Sequence, residues 1–274
     1  MNANGVMVER LYTRSIFSSL HAMWSLGGIV GAIIGGVALS VNSPMSLTLT
    51  VTGIAMAIAS ILLWTSLVQD KPESVLAKDD KKAGNKANRK LLGVVLWVGF
   101  MACFAAIAEG SAVDWSALHL KTVLHASSGE AALGVGGFSA AMAITRFAGD
   151  KLVDRFGRFA VVRYGSLLAS LGIATAVLAP APWVGVVGWS ILGIGISGVI
   201  PQLFIAAGNI GEESHSGRNM AKVFGLTYFG IMAGPAIIGF LTNWIPLNTA
   251  LALGCLLTLV VAAGASILRS DKIR

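Results

Sequence analysis

Charge is what this sequence lacks most. Only 12% of its 274 residues are Asp, Glu, Lys or Arg, while 55% are hydrophobic and the mean hydropathy is +0.77. Soluble domains carry about 25% charged residues, so an ordinary water-soluble core is excluded. Disorder is excluded too, because disordered chains are poor in apolar residues. Cysteine is nearly missing. Cys103 and Cys255 both lie in apolar stretches, which rules out a disulfide framework and reads as small packing residues. No metal-ligand spacing and no P-loop occur, and the glycine-rich patch 193–198 follows no strand. Neither a metal nor a cofactor is therefore expected. The 20 Lys+Arg against 13 Asp+Glu leave a formal charge of +7. They form no contiguous patch, which argues against a nucleic-acid partner. Met1 to Arg14 lack the apolar core of a cleavable signal peptide.

What is present is three long uncharged runs. Ser15 to Gln69, Tyr164 to Gly211 and Val223 to Leu268 span 55, 48 and 46 residues without Asp, Glu, Lys or Arg. One transmembrane helix needs about 20 apolar residues, so each run holds two helices and a turn. Asn42-Ser43-Pro44, Pro180-Ala181-Pro182 and Asn243 to Pro246 mark those turns, because Pro stops a helix and Asn tolerates turn geometry. A further pair lies between Leu91 and Asp150. The fold class expected is an all-α polytopic membrane helix bundle of eight spans, near 16–40, 46–68, 91–113, 130–149, 160–179, 183–206, 223–243 and 247–268.

Basic residues orient the bundle. Alternate connections place 19 Lys and Arg on one side and only Lys121 on the other. Both termini are therefore expected in the cytoplasm. Residues 69–90, rich in Lys, Asp, Asn and Gly, read as a cytoplasmic linker. It leaves two helices before it (1–68) and six after it (91–274). A weak repeat fits that imbalance. Shifting the sequence by 203 positions lays Gly27, Gly31 and Gly36 on Gly230, Gly234 and Gly239, Ile34 on Ile237, and Ala3, Gly5 and Glu9 on Ala206, Gly208 and Glu212. The first two helices thus read as the last two of a six-helix repeat.

Between the fourth and fifth spans the chain reads Arg146-Phe147-Ala148-Gly149-Asp150-Lys151-Leu152-Val153-Asp154-Arg155-Phe156-Gly157-Arg158. Gly157 permits a tight turn. Asp150 and Asp154 can cap helix starts or pair with Arg155 and Arg158. Such a charge cluster can latch one conformation and release it. The block resembles the cytoplasmic signature of the major facilitator superfamily, where Gly precedes Asp-Arg-x-Gly-Arg between the second and third helices of each half. It departs in one place: Gly149 lies five residues before Asp154 instead of four, and Asp150 takes the Gly place. Ala108-Glu109-Gly110-Ser111-Ala112-Val113-Asp114-Trp115, His21-Ala22-Met23-Trp24-Ser25-Leu26-Gly27-Gly28 and Met1-Asn2-Ala3-Asn4-Gly5 resemble an uncharacterised bacterial inner-membrane subgroup of that family, distantly similar to its fucose-permease branch.

The resemblance implies a secondary transporter of a small solute. Two six-helix halves would surround a cavity opened alternately to each side. It maps this chain onto helices five to twelve of twelve, so four preceding helices, or a partner chain supplying them, are implied. Spans one, three, four, six and seven would line the cavity. The alternative, a transport-incompetent membrane remnant or a subunit needing a partner, stays open.

Glu109 is the sharpest candidate. It sits about 27 Å into a helix starting near Leu91, at 1.5 Å per residue, towards the outer end of the hydrocarbon. A charge facing lipid there is costly, so Glu109 is expected to face a cavity or partner, as substrate contact or proton carrier. Asp114 lies about one turn further out. His21, one turn from Trp24, titrates near neutral pH when unperturbed. Gln202 follows Pro201, where freed backbone often marks a bend, and Tyr228 lies inside the seventh span. Arg146, Gly149, Asp150, Asp154, Arg155, Gly157 and Arg158 form the candidate gate. Gly27-x-x-x-Gly31-x-x-x-Gly35 and Gly230-x-x-x-Gly234 read as helix-packing ladders. An intramembrane enzyme is disfavoured. Glu109 and Asp114, five residues apart, point about 140° apart around a helix, and the four histidines are scattered.

Overall fold

The computed structural model describes residues 15–41, 43–64, 85–211 and 215–269. The stretches 1–14 and 65–84, with most of the expected linker, and the side chain of Trp24 lie outside the described residues. Among the described residues every regular element is helical: α1 (Phe17–Ser40), α2 (Met45–Leu63), α3 (Asn85–Thr122), α4 (Ser128–Val177), α5 (Pro182–Ile196), α6 (Val199–Gly208), α7 (Ser216–Leu241), α8 (Leu247–Gly264) and a closing 3-10 turn (Ala265–Arg269). The chain divides after Ala22 and again near Asp80 into two compact units. One contains α3–α8 with the start of α1. The other contains the rest of α1 and α2, and α2 buries no residue.

Three boundaries differ from those read off the sequence. The helix α3 begins at Asn85, not Leu91, and runs on to Thr122, not residue 113. Its 38 residues span about 57 Å, well beyond a hydrocarbon core of about 30 Å. Lys90 near one end and His119 and Lys121 at the other do not stop it, because charged groups at helix ends are accommodated close to the interface. The fourth and fifth spans are two limbs of α4. The helix continues through the charged block and breaks only at Gly157, whose φ of 79° and ψ of 159° suit glycine alone. The sixth span is broken in two at Ser197 and Gly198, giving α5 and α6.

Starts and stops follow local chemistry. The Ser127 hydroxyl accepts from the Glu130 N–H, and the Glu130 carboxylate accepts from the Ser127 N–H, a reciprocal cap that begins α4. Pro182 occupies the first position of α5 and Pro246 precedes α8, where a missing N–H costs nothing.

Glycine sets the packing. A Cβ on Gly172 would lie 2.4 Å from the Leu192 nitrogen, one on Gly188 2.5 Å from Ala176, one on Gly195 2.4 Å from Ala169, and one on Gly165 2.6 Å from the Gly195 carbonyl. The second limb of α4 and α5 therefore touch backbone to backbone, running antiparallel. The first limb meets α5 in the parallel sense, through Gly137 at Ser190 and Gly193 at Phe138 and Met142. The chain thus reverses at Gly157. A second seam joins α7 to α3 in parallel: Gly230 rests on Cys103, Gly234 on Ile107, Leu226 on Gly99 and Gly239 on Trp115. The Gly230–Gly234 ladder acts here as a packing surface. Gly27 and Gly31 meet no heavy atom within 4 Å among the described residues.

Candidate functional site

The central helix α3 is buried along almost every residue from Met101 to Ala112. Glu109 interrupts that run. Its helix continues past it to Thr122, which places Glu109 about 28 Å beyond Lys90 and about 18 Å before Lys121. The outer-end position expected from the sequence rested on a helix starting near Leu91; in the longer α3, Glu109 lies well inside the helix, away from both ends. Across from it, on the first limb of α4, Arg146 donates from Nη2 to Glu109 Oε1 at 3.3 Å. The arginine side chain is 8% exposed and the glutamate 21%. An isolated charge buried among apolar helices costs several kcal/mol, so each ion makes the other tolerable. Arg146, read from sequence as part of the gate, belongs by contact to this pair.

A backbone feature adjoins it. Pro235 inside α7 cannot donate to the carbonyl four residues earlier, that of Ile231. This carbonyl lies 3.3 Å from where a Cβ on Gly110 would stand. Gly110 thus lets a freed carbonyl approach α3 beside Glu109.

The remaining candidates scatter. Asp114 is exposed and outside the pair, and Tyr228 is 60% exposed. His21 is half-buried, its ring 6.3 Å from that of Phe204 on α6. Gln202, also on α6, is fully buried, and neither end of its amide has a hydrogen-bond partner among the described residues. Buried amides are normally satisfied, so this one is poised for water or a ligand. Sequence reasoning missed a similar group. Ser116, His119 and Trp189 are buried with their hydroxyl, both imidazole nitrogens and the indole N–H unpartnered among the described residues. His119 meets Trp189 edge-on at 5.8 Å. Nothing in the spacing of three residues on two helices announced it.

The charged block before Gly157 lies at the opposite end of the first limb from Ser128. The Ser19 N–H donates to Asp150 Oδ2 at 2.9 Å and its hydroxyl to the same oxygen, while the Ser15 N–H donates to Asp154 Oδ1 at 3.1 Å. Both carboxylates thus accept backbone N–H groups at the start of α1. Anions are favourable there because four N–H groups lack helical partners and the helix dipole is positive. Arg155 lies over the Phe156 ring at 5.4 Å. Gly149 is buried, and Arg158 half-buried.

The chain is similar to known proteins. The chain is 34% identical over 265 residues to an uncharacterized MFS-type transporter of Yersinia pestis, covering 97% of this chain and 67% of the relative. It is 33% identical to the uncharacterized transporter y4wD of Sinorhizobium fredii and 27% identical to the membrane protein MosC of Rhizobium meliloti, covering 61% of each. The chain therefore spans roughly two thirds of the length of these relatives. Two crystal structures of FucP share the fold. That of the E. coli fucose:proton symporter superposes with a TM-score of 0.72 at 20% identity, over 92% of this chain and 67% of that one. That of FucP in the outward conformation gives 0.77 at 19%, over 98% and 72%. The sequence profile of the Major Facilitator Superfamily matches residues 99–272, the helices that hold the Glu109–Arg146 pair and the charged block, and with these relatives it establishes that the chain belongs to that superfamily.

Proposed function

We propose that this chain works in the bacterial inner membrane as the larger part of a secondary transporter, moving a small solute by alternating access with both termini in the cytoplasm. The observation that carries the reading is the largely buried Glu109–Arg146 pair between α3 and the first limb of α4. Glu109 is the proton carrier in this reading. When it is protonated, its hold on Arg146 falls to that of a neutral acceptor, and the guanidinium becomes available to an acceptor group on the solute. When it is ionised, it reclaims Arg146 and the solute is released. Uptake and proton movement are then two consequences of one exchange. Gln202, with its buried amide unpartnered among the described residues, supplies a second polar contact, and His21 and Tyr228 are weaker candidates. Asp150 and Asp154 act as the latch. Their bonds to the start of α1 hold the cytoplasmic side closed, and opening requires the N–H groups of Ser15 and Ser19 to find water.

The cavity has two sides, and this chain spans about two thirds of its relatives' length. The rest of the cavity wall comes from four further helices, in the same protein or in a partner chain. A second reading is a subunit or remnant that does not transport without that partner.

Membrane vesicles carrying the protein, given an inward proton gradient and a panel of sugars, polyols, carboxylic acids and amino acids, test both. One solute is expected to enter with protons. Glu109→Gln should keep solute exchange at zero gradient and lose proton movement. If that variant still accumulates solute with unchanged pH dependence, proton carriage by Glu109 is wrong. If no solute moves in wild-type vesicles until the missing helices are co-produced, the second reading replaces the first.

A further inference from the structure

A cluster outside the transport pathway lies where the second limb of α4 begins. Two guanidinium groups share one phenyl ring: Arg269 stacks on Phe159 at 3.6 Å from the ring centroid, and Arg163 lies 5.7 Å from the same centroid. Phe159 is partly buried and packs against the core, so the ring is a fixed platform. Two cations this close repel one another. Each is attracted by the ring quadrupole, yet neither has a carboxylate partner among the described residues. Each keeps a fork of N–H donors suited to a phosphate or carboxylate. The nearby acids of the charged block are engaged elsewhere, Asp150 and Asp154 on the start of α1. What the pair of arginines lacks is an anion.

The surface next to it indicates which anion. Tyr164, Leu167, Leu171 and Leu178 are 63%, 39%, 58% and 79% exposed. Spaced three, four and seven apart, they form one stripe along the outside of the limb. It begins beside Arg163 and runs away from the basic end towards the membrane centre. A free phosphate would use the arginines and ignore the stripe. A phospholipid would use both.

We infer that Arg163 and Arg269, set on Phe159, bind the phosphodiester of an anionic phospholipid at the end of the bundle that the basic residues assign to the cytoplasm, with its acyl chain along Leu167 and Leu171. The cytoplasmic leaflet supplies such lipids, and basic pockets at helix ends are known places for their headgroups. Bound there, the lipid bridges the second limb of α4 and the 3-10 turn after α8, so it ties the end of the chain to the bundle.

Native mass spectrometry of the purified protein in detergent provides the test, with phosphatidylglycerol, phosphatidylcholine or inorganic phosphate added singly. One phosphatidylglycerol is expected to survive activation that strips phosphatidylcholine. Retention should fall about tenfold in the R163Q/R269Q double variant, as expected when two charge-assisted contacts are lost. It should change less than about twofold in R218Q/K222Q, which removes the same charge at a site with no stacked fork. R163K/R269K keeps charge and fold but loses the stacked fork, and should retain an intermediate amount. Equal retention of the two lipids, or equal loss in both glutamine doubles, overturns the site. Inorganic phosphate protecting the protein as well as phosphatidylglycerol does would leave an anion site and overturn the lipid.

Discussion

The two glycine seams of the bundle use the same residue in different ways. Between α4 and α5 both helices contribute: Gly165 and Gly172 face Gly195 and Gly188, seven apart on each side, and every added Cβ would strike backbone. Between α3 and α7 only the middle of the seam is of this kind. There Gly110, Gly230 and Gly234 meet the backbone of Ile231, Cys103 and Ile107, whereas at the two ends Gly99 faces the tip of Leu226 and Gly239 the ring of Trp115. A seam closed from both sides has nowhere to give, because backbone cannot rotate away. A seam that meets side chains at its ends can yield there by moving them. The second limb of α4 and α5 are therefore expected to behave as one body, while α7, with Pro235 inside it, is held less rigidly on α3 beside the Glu109–Arg146 pair.

This contrast can be broken in order of expected effect. Gly188→Ala should be the most damaging. It drives a methyl to 2.5 Å from the Ala176 nitrogen, and a cost of about 3 kcal/mol follows from overpacking that cannot relax. Its thermal midpoint in detergent should drop below those of Gly230→Ala and Gly99→Ala. Pairing it with Gly172→Ala should add little, since both remove one contact, whereas pairing it with Gly230→Ala should be additive. Gly230→Ala itself meets the Cys103 carbonyl at 2.5 Å, and about 2 kcal/mol is expected. If it melts as low as Gly188→Ala, the two seams are equally rigid and the contrast fails. Gly99→Ala should be nearly silent. Its methyl meets only Leu226, closest at Cδ1, which can rotate, and alanine gains about 1 kcal/mol over glycine in a helix interior. A midpoint equal to or slightly above wild type is expected.

Much of this fold is legible in the sequence, because absence of charge over 46 to 55 residues has few other physical causes than lipid. The two-sided seam was not legible. Its glycines are seven apart, and the pattern that signals close helix approach, four apart, marks only Gly230 and Gly234 on one partner. Helix ends were blurred where charges sit inside helices: Lys90, Lys121 and the block from Asp150 to Arg155 all look like loop and are all helical. The site was half legible. Glu109 stands out as a carboxylate in an apolar run, but its partner does not. Arg146 lies four residues before Asp150 and looks like part of the basic block. Recognising it as the counter-ion requires the antiparallel register of α3 and the first limb of α4, which packing decides.

The caps at the start of α1 have a consequence for biosynthesis. Ser19 and Asp150 are 131 residues apart, and Ser15 and Asp154 are 139 apart. At about 5–20 residues per second, the carboxylates leave the ribosome roughly 7 to 28 seconds after the N–H groups they serve. The helix α1 thus has to enter the membrane with its first turn answered by water alone. Apolarity drives its insertion, and the aspartates can accept these N–H groups only once α4 has been made and has packed.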